Sequence, residues 1–277
     1  MYDRLNIWAS RGPRPAAAMT YCLAIAINEG LVFSSDSRTN AGADQVRTYS
    51  KMRTFGVPGD RQFVLLSAGN LATCQGVVAQ LERDISDGLP RSLLSVPNMT
   101  EAADYLGGIS IGQQAKHTGG GVSYEASFIL GGQIGGEAPI VMLVYPQGNH
   151  ITSSDDTPYL QIGESKYGKP ILDRILTPAT SLETAALTAL VSMDSTMRSN
   201  VTVGPPLEVL IYRRDSLNLE ERLRFTEDSP YLRQIRRGWD DLIKQAFRQL
   251  PPLAWANAKE QAAAKEPPAA VFNATFE

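Results

Sequence analysis

Two histidines and two cysteines are all that 277 residues provide, and this scarcity removes several chemistries at once. A Ser-His-Asp or Cys-His centre needs an imidazole beside its nucleophile and an acid to orient it. His117 sits in AKHTGGG and His150 in the turn-like GNH, surroundings that place both on the surface. Zinc chemistry has no HExxH and no paired CxxC to use. Cys22 and Cys74 both lie in apolar segments. They are too few for a disulfide framework and suit a reducing compartment, with the cytoplasm as the default. No apolar run approaches the roughly 20 residues that span a bilayer, so no membrane role is expected. A net charge of −3 offers no concentrated basic surface, so no nucleic-acid partner is expected either; LRQIRRG is basic but brief, a solvated face. The glycine-rich GGQIGG at 131–136 falls between two strand-like runs and not before a helix, so it reads as a hairpin connection, not a phosphate cradle. No cofactor and no metal site are expected.

What is present is an ordinary globular balance, 43% hydrophobic and 20% charged, in a chain long enough to bury a core without disulfides. Residues 1–19 mix Arg, Pro and Ala without apolar period and lack the apolar stretch of about 7–15 residues of a secretory signal. They read as a leader, absent or removed in the mature protein. From Thr20, TYCLAIAIN and LVFSSD flank a short Glu-Gly turn, a hairpin pattern. Strands are expected at 48–56 and 61–68. Leu71, Cys74, Val77, Val78, Leu81 and Ile85 recur at helical spacing after Asn70, a cap residue. A second helix is expected within 99–116. Strands resume at SYEASFILGG, APIVMLVYP, ITSSDD and YLQIG. Helices follow near 166–176 and from Ser181, then a last core strand, LEVLIYRR, and a polar amphipathic helix at 229–249. The order of strands, helix pair, strands, helix pair, strand implies an α+β fold, a four-layer αββα sandwich. The expected organisation is one domain over 20–249 and an Ala-, Pro- and Glu-rich tail over 250–277.

With imidazole chemistry set aside, a hydroxyl nucleophile with an amine base remains. A threonine hydroxyl needs an adjacent base, and an N-terminal α-amine can serve. That amine titrates near about 7.7–8.0, so part of it is neutral at cellular pH. Such a centre requires Thr, Ser or Cys exposed at the mature N-terminus, at the start of a buried strand. Thr20 meets this once the leader is gone; taken alone, it is equally a strand-opening threonine.

SSDSRTNAG at 34–42, preceded by TYCLAIAIN and EGLVF, resembles the opening of proteasome β subunits and of the bacterial protease HslV. The likeness continues through Lys51 and through Ala68-Gly69, covers roughly residues 20–212, and is strongest over 20–90. TYCLAIAI, SDSRTNAG, SKM, LLSAGNLAT and SMDSTMRSN look closest to Anbu, the bacterial ancestral β subunit. The resemblance implies an N-terminal nucleophile hydrolase of the proteasome-subunit fold. By it, Thr20 supplies the hydroxyl and the α-amine, and Lys51 a positive charge beside them. Asp36 holds Lys51, and the Gly69 N–H faces the developing oxyanion. Arg38 supports Asp36 or the neighbouring loop. It also implies a homo-oligomer of many subunits in a ring or ring-like array. The expected substrate is a peptide or unfolded protein, with an unfoldase or adaptor as a further expected partner.

Several positions depart from the pattern. Lys51 follows Thr20 by one position fewer than in the close proteasome pattern. The Gly-Ser-Gly segment that supports the threonine amine appears as Ile162-Gly163-Glu164-Ser165, putting a carboxylate at the serine position, which would raise the amine pKa. Asp194 matches a supporting aspartate, but the serine three residues on is Met197, leaving Ser195 or Ser199 to substitute. Met19 precedes Thr20, which disfavours autocatalytic cleavage and favours a start at Met19 followed by methionine removal. Two further functions are carried: a small-peptide or isopeptide amidase on the same fold, and a non-catalytic ring scaffold.

Overall fold

The computed structural model describes residues 20–40, 46–116, 123–219 and 221–251. The leader, Ala41-Gly42, His117 and nearly all of the expected tail lie outside them. The chain divides into two compact units, Met1–Arg236 and Arg237–Glu277.

The first unit opens with β1 (Tyr21–Ile27) and β2 (Gly30–Asp36), the expected hairpin turning through Asn28 and Glu29. Then come β3 (Arg38–Asn40), β4 (Val46–Thr48), β5 (Met52–Val57), β6 (Arg61–Gly69) and the helices α1 (Leu71–Ser86) and α2 (Met99–Ala115). Four strands follow: β7 (Ala126–Ile134), β8 (Ile140–Val144), β9 (His150–Thr152) and β10 (Tyr159–Gly163). The helices α3 (Lys169–Ile175) and α4 (Leu182–Ser199) precede β11 (Leu207–Arg213) and β12 (Glu221–Phe225). A last helix, α5 (Pro230–Arg248), begins in this unit and ends in the second.

Two five-stranded antiparallel sheets carry the fold, one in the order β10-β1-β2-β11-β12 and the other in the order β5-β6-β7-β8-β9. Strand alternation sorts their side chains into three cores. Leu23 and Ile25 face α3 and α4, packing with Leu172, Ala185, Ala189 and Met193. Cys22 and Ala24, one residue out of phase, face the other sheet and meet Phe33, Met52, Leu66, Ile129 and Tyr212. On that sheet, Phe63, Leu65, Phe128 and Leu130 point outward to Val77, Leu81, Ala102 and Leu106 of α1 and α2. Helix pair, sheet, sheet, helix pair: this is the expected four-layer sandwich. β1 and β2 lie in the interior with almost every residue buried, which is why both read as continuous apolar runs.

The caps follow the sequence. Asn70 Oδ1 accepts the Thr73 N–H at 3.1 Å, and Ser181 Oγ accepts the Thr184 N–H at 3.3 Å. Three expectations are corrected. LEVLIYRR is not the last strand, because the charged ERLRF segment adds β12 at the sheet edge, where a strand needs only one apolar face. The short β3–β4 ribbon was not anticipated. His150 lies on β9, not in a turn, half-buried, with Nε2 3.1 Å from Asp104 Oδ1 on α2.

In the second unit α5 exposes Leu242, Ile243 and Phe247, and Leu250 is exposed just past its end. No helix among the described residues is long and apolar enough to cross a membrane.

Candidate active site

Thr20 immediately precedes β1 and is buried, with 8% of its surface exposed. Its strand pairs on one side with β10 and on the other with β2, so both ends of the later sequence reach it. The Glu164 N–H donates to the Thr20 carbonyl at 2.7 Å, closing the ladder with β10. Gly163 makes this approach possible. Its φ is +81°, and a Cβ there would lie 2.0 Å from the Thr20 carbonyl oxygen. We expect Gly163→Ala to cost roughly 1–3 kcal/mol and to displace Thr20. Gly108→Ala, on a helix with open space beside it, should leave the denaturation midpoint unchanged or raise it. Equal midpoints for Gly163→Ala and wild type would refute the packing argument.

Across the hairpin, β2 ends at Asp36. Its carboxylate is fully buried and held by three donors: Lys51 Nζ at 2.6 Å, the Tyr21 N–H at 3.0 Å and the Gly204 N–H at 3.3 Å. Burial pushes this carboxyl up. The Lys51 charge, then the hydrogen bonds from Lys51, Tyr21 and Gly204, pull against that rise. Lys51 itself is 5% exposed and also donates to the Arg38 carbonyl at 2.8 Å. The structure therefore places Lys51, Asp36 and the residue after Thr20 in one hydrogen-bonded cluster. In a pair this buried, the attraction between the two groups is screened far less than in water.

Gly69 ends β6, paired with Ala126, at φ +114°, directly before the Asn70 cap of α1. The other expected residues have separate partners. Arg38 Nη1 donates to the Val201 carbonyl at 2.8 Å. Glu164 carries its carboxylate to Asn200 Nδ2 at 3.2 Å and the Lys166 N–H at 3.4 Å. Ser165 is half-buried, and its carbonyl accepts from Gln161 Nε2 at 3.4 Å. Asp194 is buried in an ion pair with Arg236 Nε at 2.7 Å, and Ser195 beside it is half-buried. Sequence reading missed the two backbone donors to Asp36, from Tyr21 and Gly204. No residue type marks a backbone N–H as a ligand, and Gly204 lies 168 positions from Asp36.

Burial raises both thiols, that of Cys74 to about 11, so neither cysteine competes as a nucleophile. No grouping of three or more metal-ligating side chains exists among the described residues.

No protein-family model and no curated protein matches the chain. Solved structures do. Anbu, the ancestral β-subunit from Yersinia bercovieri, is 48% identical over 84% of this chain and 99% of its own, with a TM-score of 0.80. The helical assembly of the Anbu complex from Pseudomonas aeruginosa is 49% identical over 84% of this chain and 98% of its own, with a TM-score of 0.81. Anbu from Hyphomicrobium sp. strain MC1 is 42% identical over 84% and 99%, with a TM-score of 0.78.

Proposed function

This chain belongs to the Anbu family of proteasome-type N-terminal nucleophile hydrolases, and from that premise we propose that it is a threonine-type amide-bond hydrolase with Thr20 as nucleophile. The observation that supports this most is the buried Lys51–Asp36 pair, whose Asp36 also takes the N–H of Tyr21, the residue next to Thr20. A fixed cation is thereby joined to the strand that presents the hydroxyl.

With Thr20 at the mature N-terminus, its α-amine accepts the hydroxyl proton as Oγ attacks the carbonyl carbon of the scissile amide. The C=O electron pair moves onto oxygen, and the Gly69 N–H donates to that oxyanion. The tetrahedral intermediate collapses, the C–N bond breaks and the protonated α-amine returns its proton to the leaving amine. This leaves an ester on Thr20 Oγ. Water then attacks the ester, the α-amine again relaying the proton, and Thr20 is regenerated. The Lys51 side chain, paired with Asp36, lowers the cost of negative charge on Oγ and favours the neutral amine. Arg38 supports the carbonyl that holds Lys51. Glu164 and Ser165 take the position of the amine-supporting segment; Asp194 and Ser195 lie in the supporting helix. The cytoplasm is the proposed compartment.

The proposed substrate is a peptide or unfolded protein. The small-peptide or isopeptide amidase and the non-catalytic scaffold are separated from it by one panel: peptide, isopeptide and casein-like unfolded substrates, wild type against Thr20→Ala. Turnover of unfolded protein lost in the variant supports the reading. Turnover of none of them, with a free Thr20 amine verified by mass, refutes it.

We further infer self-assembly into a many-subunit homo-oligomer. The support is the helical assembly of a relative 49% identical to this chain, together with the apolar row Leu242, Ile243, Phe247 and Leu250. A second copy covering this row would bury side chains worth roughly 1.5–3 kcal/mol each. Phe247→Asp with Leu250→Asp is expected to shift the light-scattering mass to smaller species at unchanged circular dichroism. An unchanged mass would remove this row from the interface.

A further inference from the structure

Next to the Asp36–Lys51 cluster the first unit contains a cavity of about 160 Å³ whose polar lining is dominated by arginine. Arg38, Arg233 and Arg236 converge on it over an apolar base that includes Val203 and Leu232, with Glu227 on the rim. Arg38 is held tightly. Its guanidinium lies flat on Gly204, so closely that a Cβ there would come 2.4 Å from Arg38 Cζ. Nη1 is committed to the Val201 carbonyl. Its Nε is buried and meets no acceptor among the described residues. A cationic group whose buried donor has no acceptor is costly, and an anion held nearby lowers that cost through its charge. Arg236 places Nε on Asp194. Arg233 reaches Asp228 at 4.0 Å, a carboxylate fully exposed to solvent, a contact worth little.

We propose that this pocket binds a small oxyanion, a carboxylate or phosphate group, gripped by the guanidinium groups of Arg38, Arg233 and Arg236. Planar guanidinium forks match the paired oxygens of either anion. The apolar base accommodates a short hydrocarbon body behind a carboxylate. Three cations stand against Glu227, Asp194 and Asp228, but Asp194 is committed to Arg236 and Asp228 is fully exposed at 4.0 Å from Arg233, so Arg38 and Arg233 have positive charge to offer, and Glu227 sets the strength of binding by opposing it. The pocket also communicates with the cluster beside it. The Arg38 carbonyl holds Lys51, and Gly204, beneath the Arg38 guanidinium, donates to Asp36. If those two residues act in catalysis as proposed above, occupancy also regulates turnover; the binding site itself does not depend on that reading.

The test is calorimetric titration of the full chain with inorganic phosphate, and in parallel with acetate, against chloride at constant ionic strength. Saturable binding of either anion at one site per chain is expected, and the anion that binds tells which source the pocket accepts. Arg233→Gln should weaken it about tenfold, the loss of one charge-assisted contact. Glu227→Gln should tighten it a few-fold by removing the opposing charge. Arg91→Gln, elsewhere on the surface, should leave it unchanged. No saturable heat beyond chloride, or wild-type affinity in both pocket variants, overturns the proposal. Because the readout is binding, it stands or falls apart from Thr20 and hydrolysis.

Discussion

Thr20→Ala is expected to lower amide hydrolysis by about three to six orders of magnitude, the range seen when a covalent nucleophile is removed from a site that keeps its other groups. The methyl side chain cannot attack, while the N-terminal amine, Lys51 and Gly69 remain. Substrate binding should therefore persist, and the loss should appear in kcat with KM little changed. Thr20→Ser keeps a hydroxyl and should retain measurable turnover with an accumulating ester. The experiment depends on the processed N-terminus, so intact mass comes first. A mature chain that retains residues 1–19 has no free Thr20 amine and refutes the amine-base mechanism. Processed Thr20→Ala that turns over like wild type refutes the nucleophile assignment.

Lys51→Met has the largest expected effect on stability. It strips Asp36 of its counter-ion at a fully buried position. Breaking one side of a buried pair costs about 3–5 kcal/mol. At about 2–4 °C per kcal/mol for a domain of this size, Tm should fall by roughly 6–20 °C. The pairing gives a sharper test than the single variant. Asp36→Asn removes the uncompensated charge and keeps one oxygen for the Tyr21 N–H, though its amide NH2 then faces the Gly204 N–H, so the double variant Asp36→Asn, Lys51→Met should recover part of the lost stability. It should not recover activity, because the fixed cation is gone. Strict additivity of the two single variants would mean that the 2.6 Å contact is not energetically coupled.

These two predictions rest on residues of unequal legibility. Thr20, Asp36, Lys51 and Gly69 stood out because the segments around them resemble proteasome β subunits in order and spacing; taken singly, each reads as an ordinary strand-end or turn residue. The helices were equally plain where a cap preceded a periodic face, as at Asn70 and Ser181. β12 was not, since ERLRF lies at a sheet edge and its charges mask the alternation. Asp194 looked like part of the threonine's support, yet its carboxylate meets Arg236, an encounter between helices 42 positions apart that no local pattern encodes. Glu164 was expected to act through its carboxylate. Its observed contact with Thr20 is made by its backbone N–H, which any residue supplies.

The sequence by itself determined the class of the fold and, through its resemblance, pointed to the chemistry proposed above. Apolar periods of two and 3.6 dictate which segments become sheet and helix, and the scarcity of histidine directs the proposal to a hydroxyl and an amine. Only the tertiary structure decided which groups surround Asp36, that Gly163 must lack a side chain to let Thr20 close its ladder, and that three arginines from β3 and α5 face one cavity. Those outcomes depend on strand register and on contacts between residues up to 168 positions apart. Burial then strengthens the attraction within an ordinary Lys–Asp pair, because the surrounding medium no longer screens it.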